Sequence, residues 1–140
     1  MSLRPSTRWL VPLVALSLAA CAGEAASGGA DVTAEKSFVD ISDPQGSVEG
    51  FVGALEDAEV DRCEATADGW IAGGTVANPT DAVQSYRLYV ALNTNRDTHG
   101  LVQVNLDDVP GGAGENWEVE APVRGDNLSC VLRVERFDPE

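Results

Sequence analysis

The stretch VQSYRLYVALN, residues 83–93, places Tyr86, Leu88, Val90 and Leu92 on one side of an extended chain and Arg87, Tyr89 and Ala91 on the other. A period of two over that length marks a β-strand with one face in a core, and aromatic and β-branched side chains favour it. The same alternation runs outward in both directions. Upstream, EVDRCEA (59–65) and WIAGGTVAN (70–78) flank Ala67, Asp68 and Gly69 as the two arms of a hairpin, and Asn78, Pro79, Thr80 and Asp81 end the second arm. Downstream, TNRDTHG (94–100) reads as a turn, LVQVNL (101–106) as a strand and DDVPGGAG (107–114) as a loop. NWEVEAPV (116–123) then sets Trp117, Val119 and Ala121 against Glu118 and Glu120. The last strand, LSCVLRVERF (128–137), alternates Leu128, Cys130, Leu132 and Val134 with Ser129, Val131, Arg133 and Glu135. About six or seven short antiparallel strands with frequent turn signals and little helix predict a mainly β fold, a sandwich and not a βαβ arrangement.

This β-sandwich domain is expected over residues 47–140. At its start, Val48, Phe51, Val52 and Leu55 recur at helical spacing behind Ser47, which predicts a short N-terminal helix capped by that serine. Gly50 and Gly53 oppose it, each at about 1 kcal/mol. Residues 21–46 are small, polar and acidic with no apolar period, the composition of a flexible acidic tether. Asp40 and Asp43 lack the dense acidic spacing of a calcium loop.

The first twenty residues differ from everything after them. MSLRPSTR carries Arg4 and Arg8 without an acid, and an apolar block runs from Trp9 to Ala20. This is the build of a signal peptide over residues 1–20, and the block is shorter than the ~20 apolar residues a spanning helix needs. Leu18, Ala19, Ala20 and Cys21 close the run, and this LAAC resembles the lipobox of bacterial lipoproteins. The resemblance implies cleavage before Cys21 and diacylation of its thiol with palmitate-type chains. Such a protein is held at the extracytoplasmic side of the cell membrane by lipid, since two chains anchor stably where one binds only marginally.

With the leader removed, seven bases face 23 acids, a formal charge of −16. So acidic a surface repels nucleic acid and anionic headgroups, so the expected membrane attachment rests on the lipid at Cys21. Assigning Cys21 to the anchor leaves Cys63 and Cys130 as an even pair. In an oxidising compartment these are expected to form a disulfide joining the first and last strands of the sandwich. A metal site is the rival reading, and His99 is the one histidine able to join them, a poor ligand set.

At GTVANPT (74–80) the chain meets a wider pattern. Gly, Thr, Val, any residue, Asn, Pro and Thr are followed by an alternating strand, a turn ending in Gly100, another strand, and the Gly111 and Gly112 loop before the strand of Trp117. This resembles the FxLYD-type domain, an immunoglobulin-like sandwich, as carried by small actinobacterial lipoproteins of the cell envelope. The likeness covers roughly residues 60–137. It implies an immunoglobulin-like β-sandwich, an extracytoplasmic location and a non-catalytic interaction role, and it brings no catalytic residues with it.

The residues able to carry chemistry do not converge in the sequence. His99 would have to serve as base in any nucleophilic mechanism, and it reads as part of a solvated hairpin tip. Neighbours such as Asp107 and Asp108, or Glu56 and Asp57, point to opposite faces of a strand. No catalytic residue, cofactor or resident metal is expected. Trp70 and Trp117 are assigned to the core, while Tyr89, if it shares a solvent face with Arg87, would belong to a contact surface. The expectation is a membrane-anchored lipoprotein displaying a non-catalytic module for a protein partner. The alternative is a lipoprotein that binds a small ligand or divalent cation through acidic loops such as Asp107 and Asp108.

Overall fold

The computed structural model describes residues 36–140. The leader, Cys21 and the tether up to residue 35 lie outside the described residues. Among those described, eight strands follow in order: β1 (Phe38–Asp40), β2 (Val52–Gly53), β3 (Ala58–Ala65), β4 (Trp70–Ala77), β5 (Gln84–Asn93), β6 (Thr98–Val109), β7 (Gly114–Ala121) and β8 (Ser129–Phe137). One 3-10 turn, Leu55–Asp57, precedes β3. The strands make a five-stranded sheet in the order β1-β6-β5-β8-β2 and a three-stranded sheet in the order β3-β4-β7. The chain changes sheet after β2, β4, β6 and β7, the interleaving of an immunoglobulin-like sandwich.

The alternation in β5 explains the core. Tyr86, Leu88, Val90 and Leu92 are fully or almost fully buried and meet Ala72 and Val76 of β4 and Trp117 and Ala121 of β7. Each such aliphatic side chain stabilises the fold by roughly 1.5–3 kcal/mol relative to an exposed one. The GG of β4 belongs to this packing. A side chain at Gly74 would collide with the backbone carbonyl of Glu59, so the small residue lets β3 and β4 close on each other.

Cys63 and Cys130 form a disulfide, with Cα atoms 5.9 Å apart. It joins β3 of the small sheet to β8 of the large one, clamping the layers face to face. The NPT turn after β4 is a second fastening. Asn78 is buried, its Nδ2 donates to the carbonyls of Ala82 (2.8 Å), Val109 (3.0 Å) and Pro110 (3.3 Å), and its Oδ1 accepts from Thr80 N–H and Oγ1. One side chain thus stitches the β4–β5 connection to the β6–β7 loop.

Four expectations need correction. No helix forms behind Ser47; the segment gives the short strand β2 and the 3-10 turn, because its glycines weaken a helix while β2 gains a ladder with Arg136 and Glu135 of β8. The folded part begins before residue 47, since β1 lies inside the stretch read as tether and pairs in parallel with β6, Phe38 opposite Gly100. The strands are therefore eight, and one of their pairings is parallel. β6 is also longer than LVQVNL at both ends, so His99 sits within a strand and not at a hairpin tip. The tip itself is a turn in which Thr94 and Asp97 bond to each other.

Candidate functional site

The outer face of the large sheet holds the most elaborate polar arrangement in the domain. By period alone, Arg87 and Tyr89 of β5 and Arg133 and Glu135 of β8 should face solvent. Instead Tyr89 and Glu135 are each only 1% exposed. The cover is the stretch between β1 and β2, laid across the sheet as a strap.

Each contact of the strap is specific. The Tyr89 hydroxyl is shared between the carbonyls of Asp43 (2.9 Å) and Pro44 (3.1 Å). Gly46 N–H donates to Glu135 Oε1 at 2.7 Å, and Arg133 donates to the same oxygen through Nε at 3.0 Å. Gly46 has φ +76°, a left-handed conformation that glycine adopts without strain, and it turns the amide toward the carboxylate. Arg87 reaches Asp43 at 3.3 Å and the Ser47 hydroxyl at 3.2 Å. Gln103 of β6 accepts the N–H groups of Ser42 and Asp43, both at 3.0 Å, in place of a backbone partner. Phe51 and Phe137 cover the guanidinium groups of Arg133 and Arg87 respectively. Burial pushes the Tyr89 hydroxyl pKa upward.

Where the strap ends, the β8 edge opens. β2 pairs only with Arg136 and Glu135, and Ala54 N–H adds one bond to the Val134 carbonyl at 3.0 Å. Beyond that point, from Leu132 back to Cys130, β8 has no strand on this side among the described residues. The groove alongside has a volume of about 650 Å3 and is walled by Phe51, Leu55, Leu132 and Val134 with Arg133 and Arg136 at its rim. Leu55 in its wall and Val131 on the unpaired stretch of β8 are 56% and 50% exposed. An open ladder flanked by apolar side chains suits an extended peptide strand.

Asp57 closes the far end of this groove. Its Oδ2 receives Arg136 Nη1 at 2.6 Å and the Tyr86 hydroxyl at 3.0 Å. Burial, then the hydrogen bond to Asp57, pushes the Tyr86 pKa up to about 12. Glu56 beside it stays exposed, so the two adjacent acids diverge.

The remaining candidates are dispersed. Asp107 and Asp108 lie exposed at a β-bulge of β6, where Asp108 has φ +55° and its N–H approaches the Ser85 hydroxyl at 3.4 Å. Among the described residues no group of three or more His, Cys, Asp and Glu side chains is placed to hold a metal ion. Cys63 and Cys130 are spent in the disulfide. His99 is half-buried and lines a separate cavity with Lys36 and Arg124. Trp70 and Trp117 are in the core, and Trp70 Nε1 donates to the Gly125 carbonyl at 3.1 Å. Tyr89, read as a possible contact residue, is buried beneath the strap.

Sequence reasoning missed the strap and Glu135. The available signal was an aromatic and three charges on the nominally outer faces of β5 and β8, together with a DPQG turn that brings a chain back across them. No helix among the described residues is long and apolar enough to cross a membrane. Comparison with known proteins returns no matching family model, no matching curated protein and no matching solved structure.

Proposed function

We propose that the chain is a bacterial lipoprotein, held by lipid on Cys21 at the extracytoplasmic side of the membrane, whose sandwich acts by protein contact and not by catalysis. The Cys63–Cys130 disulfide carries this reading. It belongs in an oxidising compartment, and it accounts for two of the three cysteines, leaving the one that ends the apolar leader for acylation. The likeness of GTVANPT and the strands after it to FxLYD-type modules points the same way. The open β8 edge beside Leu55 and Val131 supplies a surface on which a partner's extended segment would add as a strand.

Two measurements test it. Cys21→Ala in the full chain should move the protein from the membrane to the soluble fraction with its fold intact; retention in the membrane rejects the anchor. In-cell cross-linking through the native protein should recover one partner repeatedly, and Val131→Glu should abolish that recovery. A partner captured equally by the variant places the contact elsewhere.

A further inference from the structure

The cations of this acidic domain are unevenly spent. Arg62, Arg87, Arg133 and Arg136 each lie within 4.0 Å of a carboxylate. Lys36, Arg96 and Arg124 do not, among the described residues. Two of these three, Lys36 and Arg124, line one cavity of about 340 Å3 together with His99, Phe38, Pro122 and Val123. Among the described residues that line it there is no carboxylate.

The backbone builds this cavity from three directions. β1 brings Phe38, and the residues leading into it bring Lys36, along the edge of β6, fixed by the parallel pairing of Phe38 with Gly100 and by the Ser37 hydroxyl donating to the Thr98 carbonyl. β6 contributes His99. The connection after β7 brings Pro122, Val123 and Arg124, and Gly100 permits its close approach, since a Cβ there would stand 2.8 Å from Val123 Cγ1. His99 is packed on the same connection, its Nδ1 being 3.4 Å from where a Cβ on Gly125 would lie.

We infer that this cavity binds a small oxyanion, a phosphoryl group, between Lys36, His99 and Arg124. An ammonium, an imidazole and a planar guanidinium give donors from three sides, and Arg is suited to two parallel bonds to one phosphoryl group. Phe38 and Val123 provide an apolar wall for whatever carries the anion. The net negative charge does not oppose this at short range. At physiological ionic strength the screening length is about 8 Å, so distant carboxylates are muted while groups in contact are not. Asp126, lining the adjoining cleft on the other side of Arg124, is the competing acid. A phosphate ester in solution and a lipid headgroup offer the same phosphoryl chemistry.

His99 is the chain's one histidine, so its imidazole proton resonances report on this cavity without assignment. The full chain carrying Cys21→Ala, disulfide intact, is titrated with inorganic phosphate at constant ionic strength, with chloride as control. A saturable shift with phosphate, absent with chloride, is expected. The pair Lys36→Gln and Arg124→Gln, both at exposed positions, should raise the half-saturating concentration at least about tenfold while the circular dichroism is unchanged. Sedimentation with vesicles of phosphatidylglycerol and phosphatidylcholine separates the sources. Binding lost in the double variant assigns a headgroup; saturation by phosphate without vesicle binding assigns a free phosphate ester. Equal response to phosphate and chloride with no variant-sensitive vesicle binding overturns the inference, as does unchanged phosphate affinity in the double variant.

Discussion

Gly46 and Glu135, 89 residues apart in the chain, meet as amide donor and buried carboxylate acceptor at 2.7 Å. This contact and the Tyr89 hydroxyl hold the strap against the sheet. Removing the acceptor takes away the charged partner of the Gly46 N–H and empties the space Glu135 fills beneath the strap, while Arg133, nearly half exposed, can turn to water. Glu135→Ala should therefore cost about 2 kcal/mol and should open the strap to limited proteolysis near Gly50 before the sandwich unfolds. Glu135→Gln keeps an acceptor and should lose less. Denaturant midpoints and mass mapping of early cleavage check both.

The disulfide closes a loop of 67 residues. On the chain-entropy model, replacing both cysteines by alanine should lower stability by about 4 kcal/mol, measured as a lower urea midpoint with a steeper slope, because the unfolded chain freed of its cross-link exposes more surface.

The two tyrosines should titrate late. Burial raises both, Tyr86 to about 12, so absorbance at alkaline pH should show no step at the ordinary value of 10.0 while the protein is folded. The sign follows from the raised folded value. The neutral phenol stabilises the fold fully below pH 10, and that stability is lost as pH rises from 10 toward 12. Tyr86→Phe should lose about 1 kcal/mol at neutral pH and flatten the alkaline slope in that window.

Asn78 combines three donor contacts and two acceptor contacts in one buried side chain. Asn78→Asp keeps the shape but cannot donate to the three carbonyls. It should destabilise by about 3 kcal/mol and by more than Thr80→Ala, which removes an exposed hydroxyl's bonds to the same turn. Thermal unfolding of the two variants side by side decides the order.

How much of this was legible depends on where the information sits. β3 to β8 were readable because each is long enough to show a period of two, and Tyr86, Leu88, Val90 and Leu92 announced their buried face. β1 and β2, with three and two residues, are too short to show any period, and their pairing partners lie far along the chain. The alternation of β8 places Glu135 in the outer set, since a charge on that face is solvated unless something covers it. The covering strap lies in a segment whose own composition signals no structure. His99 lies in a strand and not at the expected tip because β6 begins at Thr98, carried into the turn sequence by its ladder with β5. The cavity it lines needed β1 beside it, so the cluster of Lys36, His99 and Arg124 had no signature in spacing.

The Cys63–Cys130 bond also makes the chain between them a closed covalent ring. β4, β5, β6 and β7 and all five connections from β3 to β8 lie inside that ring. A protease that cuts any one of these connections yields two pieces still joined through sulfur, so the nicked molecule gains only the mass of the one water consumed and both sheets keep their strands. Loss of function by a single such cut would then require reduction as a second event, and the domain would persist in its compartment as a two-chain molecule.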